Sequence, residues 1–241
     1  MESSKVDDIV IYSGGLDSSV LLWQLKEKWK QNIQAVSFDY GQRHKKELEC
    51  AKEVTSMLNI EHIIVDLSSV GQLLQGSALT TFDIDVPEGH YADESMKQTI
   101  VANRNAIMLS IACGVAVAKK IPFVYYAAHK NDYAIYSDCR PEFVKAFDTA
   151  MYIGNDKQVE VIAPFVHLTK AEIVKIGLAL SVPFEKTWSC YKGEDLPCGK
   201  CGTCTERLEA FSINNAIDPL LYQGSSNIMD TSEYTEGGEL K

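Results

Sequence analysis

Short β-branched runs alternate with helix-period runs along this chain, and the first junction, "VIYSGGLDSSVLL" at residues 10–22, is a glycine turn rather than a loop. The run "DDIVIY" before it reads as a buried strand, and "SVLLWQLKEKW" after it carries apolar residues three and four apart, as a helix does. The alternation continues. "IQAVSFDY", "HIIVDL", "PFVYYAA" and "VEVIAPF" read as further strands. "KKELECAKEVTSML" reads as a helix with Leu48, Ala51, Val54 and Leu58 on one face, and "PEFVKAFDTAMY" as another. Strands and helices in turn imply an α/β fold, a doubly wound parallel sheet of about five strands. "NAIMLSIACGVAVAKK" is apolar nearly all round and is expected to be a buried helix. Residues 68–100 show no sustained period, as lids and binding loops do. The division expected is an α/β domain over 1–185, a small C-terminal metal-binding segment over 186–225, and a disordered tail over 226–241.

Composition narrows the function classes. With 46% hydrophobic residues, the 241-residue chain has ample material for a core. No stretch approaches 18 uninterrupted apolar residues, so no membrane span is expected. "MESSKVDD" lacks the apolar segment of a secretory signal, and the expected location is cytoplasmic. A net charge of −10 argues against broad phosphate-backbone binding, so no nucleic-acid partner is expected. The basic run "RHKK", Arg43 to Lys46, is either a local anion patch or a solvated helix face. Seven cysteines in a reducing compartment do not suggest a disulfide framework.

The turn itself has chemistry. Gly14 and Gly15 let the backbone approach a ligand closely, Ser13, Ser18 and Ser19 supply hydroxyls, and the following helix supplies free N–H groups. It lacks the lysine of a Walker loop, the three spaced glycines of a dinucleotide fingerprint, and the G-x-S-x-G of a nucleophile elbow. It resembles the S-G-G-x-D-S pyrophosphate loop of ATP pyrophosphatases, which cleave ATP between the α- and β-phosphates. The plain alternative is a glycine turn capped by Asp17 or Ser18.

The second strong signal is "CYKGEDLPCGKCGTC", with Cys190, Cys198, Cys201 and Cys204 in a C-x7-C-x2-C-x2-C spacing. Glycines after Cys198 and Cys201 allow backbone N–H groups to point at thiolates, and four thiolates would close a tetrahedral structural zinc site. A redox dithiol or three ligands of an iron–sulfur cluster are the other readings. The dispersed Cys50, Cys113 and Cys139 read as small buried apolar residues.

Together these blocks resemble the 7-cyano-7-deazaguanine synthases of queuosine biosynthesis, from about Ile9 to Tyr222. The resemblance rests on "SGGLDSS", "FDYGQRH", "NRNAIMLSIA", "DCRPEFVKAF", "LTKAEIVKIG" and "TWSCYKG…PCGKCGTCTERLEAF". "AHKNDYAIYSDC" departs from it, since many members have D-Y-S-G-Y there. The resemblance implies an adenine nucleotide alpha hydrolase-like fold. It also implies an ATP-dependent ligase that turns 7-carboxy-7-deazaguanine and ammonia into the nitrile through an adenylate and an amide. Structural Zn2+, Mg2+ and a homodimer are implied as well. No glutaminase module fits and no N-terminal catalytic cysteine is present, so free ammonia is the expected nitrogen source.

The same resemblance implies an ATP site of Tyr12, Ser13, Gly14, Gly15, Leu16, Asp17, Ser18, Ser19 and Asp39. Asp17, Lys170 and Arg104 are the implied catalytic residues, and Arg104, Asp132, Asp138 and Arg140 would hold the substrate. Asp39 could instead be a turn residue, Arg104 a surface ion pair and either later aspartate a helix cap. Trp188 and Tyr191 read as core packing. "HLTKAE" carries a capping box with Thr169 as N-cap, which puts Lys170 in a first turn where a cation opposes the helix dipole. A lysine kept there for phosphate chemistry alone would leave stability equal or higher when replaced by methionine. Alternatives of other classes are a tRNA thiolase with the same loop, a zinc-bearing nucleotide sensor, or a relative that stops at the amide.

Overall fold

Neighbouring strands of the sheet are all parallel, in the order β3-β2-β1-β4-β5. This comes from a computed structural model of the chain that describes residues 6–224; the tail over 226–241 lies outside the described residues. The strands are β1 (Asp8–Ile11), β2 (Ile33–Asp39), β3 (Glu61–Asp66), β4 (Phe123–Tyr125) and β5 (Glu160–Ile162). The helices are α1 (Leu16–Trp23), α2 (Lys46–Met57), α3 (Ser68–Leu73), α4 (Arg104–Lys119), α5 (Pro141–Gly154), α6 (Lys170–Ala179) and α7 (Gly202–Ile213). The doubly wound α/β class is the one the alternating pattern implies.

Successive strand residues point to opposite faces, and both faces are covered. Val10, Ala35 and Tyr125 enter one core with Val20 and Leu21 of α1, Ile173 and Val174 of α6, and Ala210 and Phe211 of α7. Ile9, Val36, Val124 and Val161 enter the other with Leu109, Ala112 and Ala116 of α4. Strand order reverses direction between β1 and β4, so the carboxyl ends of these two strands open a crevice where sheets of this type bind ligands. The glycine turn follows β1, and residues 129–140 follow β4. The topology brings them together.

Two expectations are corrected here. Helix α4 is not buried all round: Leu109, Ala112, Cys113 and Ala116 are buried, while Ser110, Gly114 and Ala118 face outward. Its outer positions are small, so they raise the apolar count without needing a cover. Residues 68–100 are not structureless. They include α3 and a 3-10 turn at Glu94–Thr99, with Ala78 and Leu79 fully buried. Their order is tertiary. Arg43 donates to the carbonyls of Thr81, Phe82 and Ile84 at 3.2, 2.9 and 2.9 Å, and Gly89 N–H donates to Lys200 O at 3.0 Å. The "RHKK" run is therefore solvated only in part, chiefly at Lys45. His44 is buried, Lys45 pairs with Asp39 at 3.0 Å, and Lys46 lies 4.5 Å from the Trp188 ring centroid.

Gly14 has φ +87°, and a Cβ there would stand 2.1 Å from Glu47 O and 2.8 Å from Ala51 N. The turn and α2 are in backbone contact that only glycine permits. Gly14→Ala is expected to lower the urea unfolding free energy by about 1–3 kcal/mol or more, with left-handed strain and the clash both contributing. An unchanged midpoint would contradict this packing.

Candidate active site

A cavity of about 230 Å³ opens at the carboxyl ends of β1 and β4. One wall is the glycine turn. Ser13 Oγ accepts from Gly15 N–H at 3.0 Å and lies 3.1 Å from Ser18 Oγ, which donates to Gly15 O at 3.2 Å. Tyr12 is fully buried with its hydroxyl 3.1 Å from Ser19 Oγ, so Tyr12 and Ser19 brace the turn from beneath. Leu16 and Asp17 begin α1, whose first N–H groups open toward the cavity.

Asp17 is the hub of a buried ionic network. Lys170 Nζ donates to Asp17 Oδ2 at 2.6 Å and lies 3.3 Å from Glu206 Oε2, and its residue is only 7% exposed. His129 Nε2 lies 3.6 Å from Asp17 Oδ2 and 3.5 Å from Asp132 Oδ2. Burial would raise the Asp17 carboxyl, but Lys170 and His129 override it and hold Asp17 well below the usual carboxylate range. Burial would likewise discharge His129, yet Asp132 and Asp17 lift it to about 9. The same opposition, burial against Asp17 and Glu206, ends with Lys170 well above its ordinary value. Burial pushes Glu206 up, against the pull of Lys170 and His129. Asp17 Oδ1 is buried without a partner among the described residues.

The opposite wall holds Arg104 at the start of α4. Its guanidinium sits 5.9 Å from the Tyr136 ring centroid and donates to Tyr40 O–H at 3.5 Å. It makes no ion pair among the described residues, although it is half-buried. It is not the surface ion pair that was the alternative. A half-buried cation that faces a cavity and makes no ion pair among the described residues is a receptor for an anion. Asp132 lines the same cavity. Asp138 does not; its Oδ2 accepts from Asn105 N–H at 3.3 Å in the first turn of α4. Asp39 and Arg140 also stand away from the lining. Asp39 accepts from Gly41 N–H at 3.0 Å and pairs with Lys45, while Arg140 Nε donates to Tyr133 O at 2.9 Å.

His129, Glu206, Glu47, His44 and Tyr136 line the cavity and escape the sequence reading. His44 closes the quoted "FDYGQRH" block, and Glu206 stands two residues after Cys204, but a lone imidazole or carboxylate has no spacing to read. Trp188 is buried against the cysteines, as core packing requires, and also lines the cavity. Tyr191 is more than packing, since its hydroxyl meets that of Tyr136 at 3.1 Å.

Behind this wall the sulfurs of Cys190, Cys198, Cys201 and Cys204 lie within 4.8 Å of one another, all buried. Backbone N–H groups of Cys198, Lys200 and Cys201 point at sulfurs from 3.3–3.4 Å, with Gly199 at φ +72° shaping the turn. Tetrahedral zinc at 2.3 Å from each sulfur sets S···S at about 3.8 Å. Cys198 and Cys204 stand 4.0 Å apart. The donor set fits a closed, structural metal. Arg207, one residue beyond Glu206, is fixed by Asp218 at 2.7 and 2.9 Å, by Thr187 Oγ1 at 2.7 Å and by Phe184 O at 3.0 Å.

The network overturns the expectation for Lys170. The capping box is present, but the ammonium is buried between two carboxylates rather than merely tolerated. Lys170→Met is now expected to cost about 3–5 kcal/mol in chemical denaturation, because it strands Asp17 and Glu206. A higher melting temperature would contradict the pair. His129 adds a pH dependence. Its folded pKa of about 9 exceeds the ordinary 6.5. Its contribution is therefore complete below about pH 6.5 and lost as pH rises through 9. His129→Gln should flatten the stability curve across that window, measured by melting at fixed ionic strength.

Comparison with known proteins finds similar sequences over most of the chain. The chain is 53% identical over 215 residues to the 7-cyano-7-deazaguanine synthase of Hahella chejuensis, covering 89% of this chain and 92% of that one. It is 52% identical over 215 residues to the 7-cyano-7-deazaguanine synthase of Pseudoalteromonas translucida, covering 89% and 98%. Among solved structures, an NH3-dependent NAD synthetase from Campylobacter jejuni aligns at TM-score 0.46 and 18% identity, over 76% of this chain and 67% of that one. Residues 7–215 match the family described as queuosine biosynthesis protein QueC, and the chain belongs to that family.

Proposed function

We propose that this chain is an ATP-dependent carbon–nitrogen ligase that converts 7-carboxy-7-deazaguanine and ammonia into 7-cyano-7-deazaguanine, in queuosine or related deazaguanine biosynthesis. The observation that carries the reading is the pairing of two anion receptors across one cavity, the serine-lined turn of α1 and the unpaired Arg104 guanidinium. A carboxylate held by Arg104 would then face the α-phosphate of an ATP held by the turn.

In this reading Ser13 and Ser18 hydroxyls and the N–H groups of Gly15 to Ser19 receive the phosphates. The substrate carboxylate attacks the α-phosphorus, and pyrophosphate leaves. Lys170, beside those phosphates, offsets the charge that builds as the α–β bond breaks. Asp17 fixes Lys170, and its unpartnered Oδ1 fits a magnesium ion that would neutralise pyrophosphate. Ammonia displaces AMP to give the amide, and a second activation dehydrates it. Asp132 is placed for the guanidine-like edge of the base. The rest is positioning, in which a well-held pair of reactants contributes about 7–11 kcal/mol. The four thiolates would hold zinc, which supplies rigidity to the segment carrying Trp188, Tyr191 and Glu206. Among the described residues no helix is long and apolar enough to cross a membrane. A cytoplasmic homodimer fits this reading; helix α5 has no fully buried residue and carries the exposed Ile153.

Purified protein with ATP, ammonium and 7-carboxy-7-deazaguanine should yield the nitrile, AMP and pyrophosphate by mass spectrometry. Product that stops at the amide would identify the shorter reaction, and ADP with phosphate would contradict the chemistry. Asp17→Asn keeps a neutral partner for Lys170 and should retain the fold, yet lose about a hundredfold or more in AMP formation. Ser13→Ala should act in the same direction. Elemental analysis should find one zinc per chain, and Cys201→Ser should cost solubility before it alters product identity. Iron, or a stable protein without metal, would contradict the zinc assignment.

A further inference from the structure

Both chemical steps of the proposed reaction release protons from nitrogen, and the network around Asp17 offers no free acceptor for them. Asp17 and Glu206 are engaged by Lys170, and Asp132 by the charged His129. Glu47 is the remaining cavity carboxyl. It stands in the first turn of α2, between the phosphate wall and the Arg104 wall, and makes no side-chain hydrogen bond among the described residues. Its Oε1 lies 3.7 Å from where a Cβ on Gly15 would be, so it reaches toward whatever the turn binds. Its Oε2 lies 3.7 Å from His44 Nε2, and the buried His44 Nδ1 has no partner among the described residues.

Resting on the function proposed above, we infer that Glu47 is the proton acceptor for the nitrogen steps. When ammonia adds to the acyl-adenylate carbon, one N–H proton passes to the Glu47 carboxylate as the C–O bond to AMP breaks. In the second activation the amide oxygen attacks the α-phosphorus and pyrophosphate leaves. Two N–H protons are then lost singly to Glu47 as the C–O bond to AMP breaks and the C≡N bond forms. Between transfers Glu47 returns each proton to water through the cavity mouth. No oxidant or further reactant is needed.

The environment suits the task. Burial pushes the Glu47 carboxyl up to about 8, against the pull of Arg104 and Lys170 and with the push of Asp17. The other titratable groups around it are Tyr12 after β1, Tyr40 after β2, Cys50 on α2 and Tyr191 against His44. His44 is held neutral, down at about 3, by burial and then by Arg104 and Arg43. A base is most effective when its pKa lies near working pH. With both forms populated near pH 8, the protonated fraction does not repel the ATP phosphates and the ionised fraction accepts the proton.

The test separates the steps. Wild type and Glu47→Gln are given ATP and the primary amide of the substrate, without ammonia, so that ammonium titration cannot contribute. Nitrile formation by the variant should fall about a hundredfold or more in kcat, with KM for the amide within about threefold. Wild type is expected to show a rising limb near pH 8, and that limb should disappear in the variant. Pyrophosphate release from the carboxylate substrate should persist in the variant. Stability gives a second readout. A carboxyl raised from 4.5 to about 8 makes the fold lose stability as pH rises through that window. Glu47→Gln should be as stable as wild type at or below about pH 4.5 and progressively more stable up to pH 8 and beyond, which also shows that it folds. Glu47→Asp should keep the pH limb at reduced kcat. A Glu47→Gln protein with wild-type nitrile formation, or with the limb intact, overturns this inference alone. A wild type that makes no nitrile overturns the function reading as well.

Discussion

The ammonium of Lys170 ties together parts of the chain that are far apart in sequence. It reaches Asp17 in α1 and Glu206 in α7, and its backbone N–H donates to Asn131 Oδ1 after β4 at 3.1 Å. A buried cation of this kind is costly unless its partners are in place. The fold places them. The β1/β4 switch point brings the glycine turn and the 129–140 segment together, the capping box starts α6 beside them, and the cysteine cluster with Arg207 fixes α7 one residue from Glu206. Lys170 is therefore a structural keystone and, in the proposed reaction, a charge held ready beside the phosphates. These roles are not separable, because the strain of enclosing the ammonium is relieved either by Asp17 or by a bound anion.

The second wall works by the opposite device. Arg104 lies half-buried among phenol rings with no ion pair among the described residues, which leaves it ready for an anionic ligand. Glu47, lifted toward neutrality by burial, adds no competing charge. One cavity thus contains a compensated cation that stays fixed and an uncompensated one that recruits. The clamp of Arg43 on the 81–84 carbonyls holds the long irregular segment without periodic structure of its own.

Most of the architecture was legible because period and spacing are local. The strand-turn-helix at residues 10–22, the helical face of Leu48, Ala51 and Val54, and the capping box at Thr169 each follow from neighbours in sequence. The four cysteines were legible because metal ligation constrains spacing. The burial of Lys170 was not, since its partners lie 153 residues upstream and 36 downstream, and the first-turn position alone suggested a lysine out of place. His129, Glu47 and Glu206 are single titratable residues on three different elements, and only the strand order makes them neighbours. The exposure of α4 was missed for a different reason: small outward residues count as apolar but bury little.

The central claim is that one cavity activates a carboxylate at the α-phosphate of ATP, with the turn and Arg104 as its two ends. Exchange of labelled pyrophosphate into ATP measures that step alone, before any nitrogen chemistry. The account predicts exchange in wild type only when 7-carboxy-7-deazaguanine is present, and its loss when Arg104 is replaced by methionine in a protein that still binds ATP. Exchange that ignores the carboxylate, or that survives without Arg104, would contradict it.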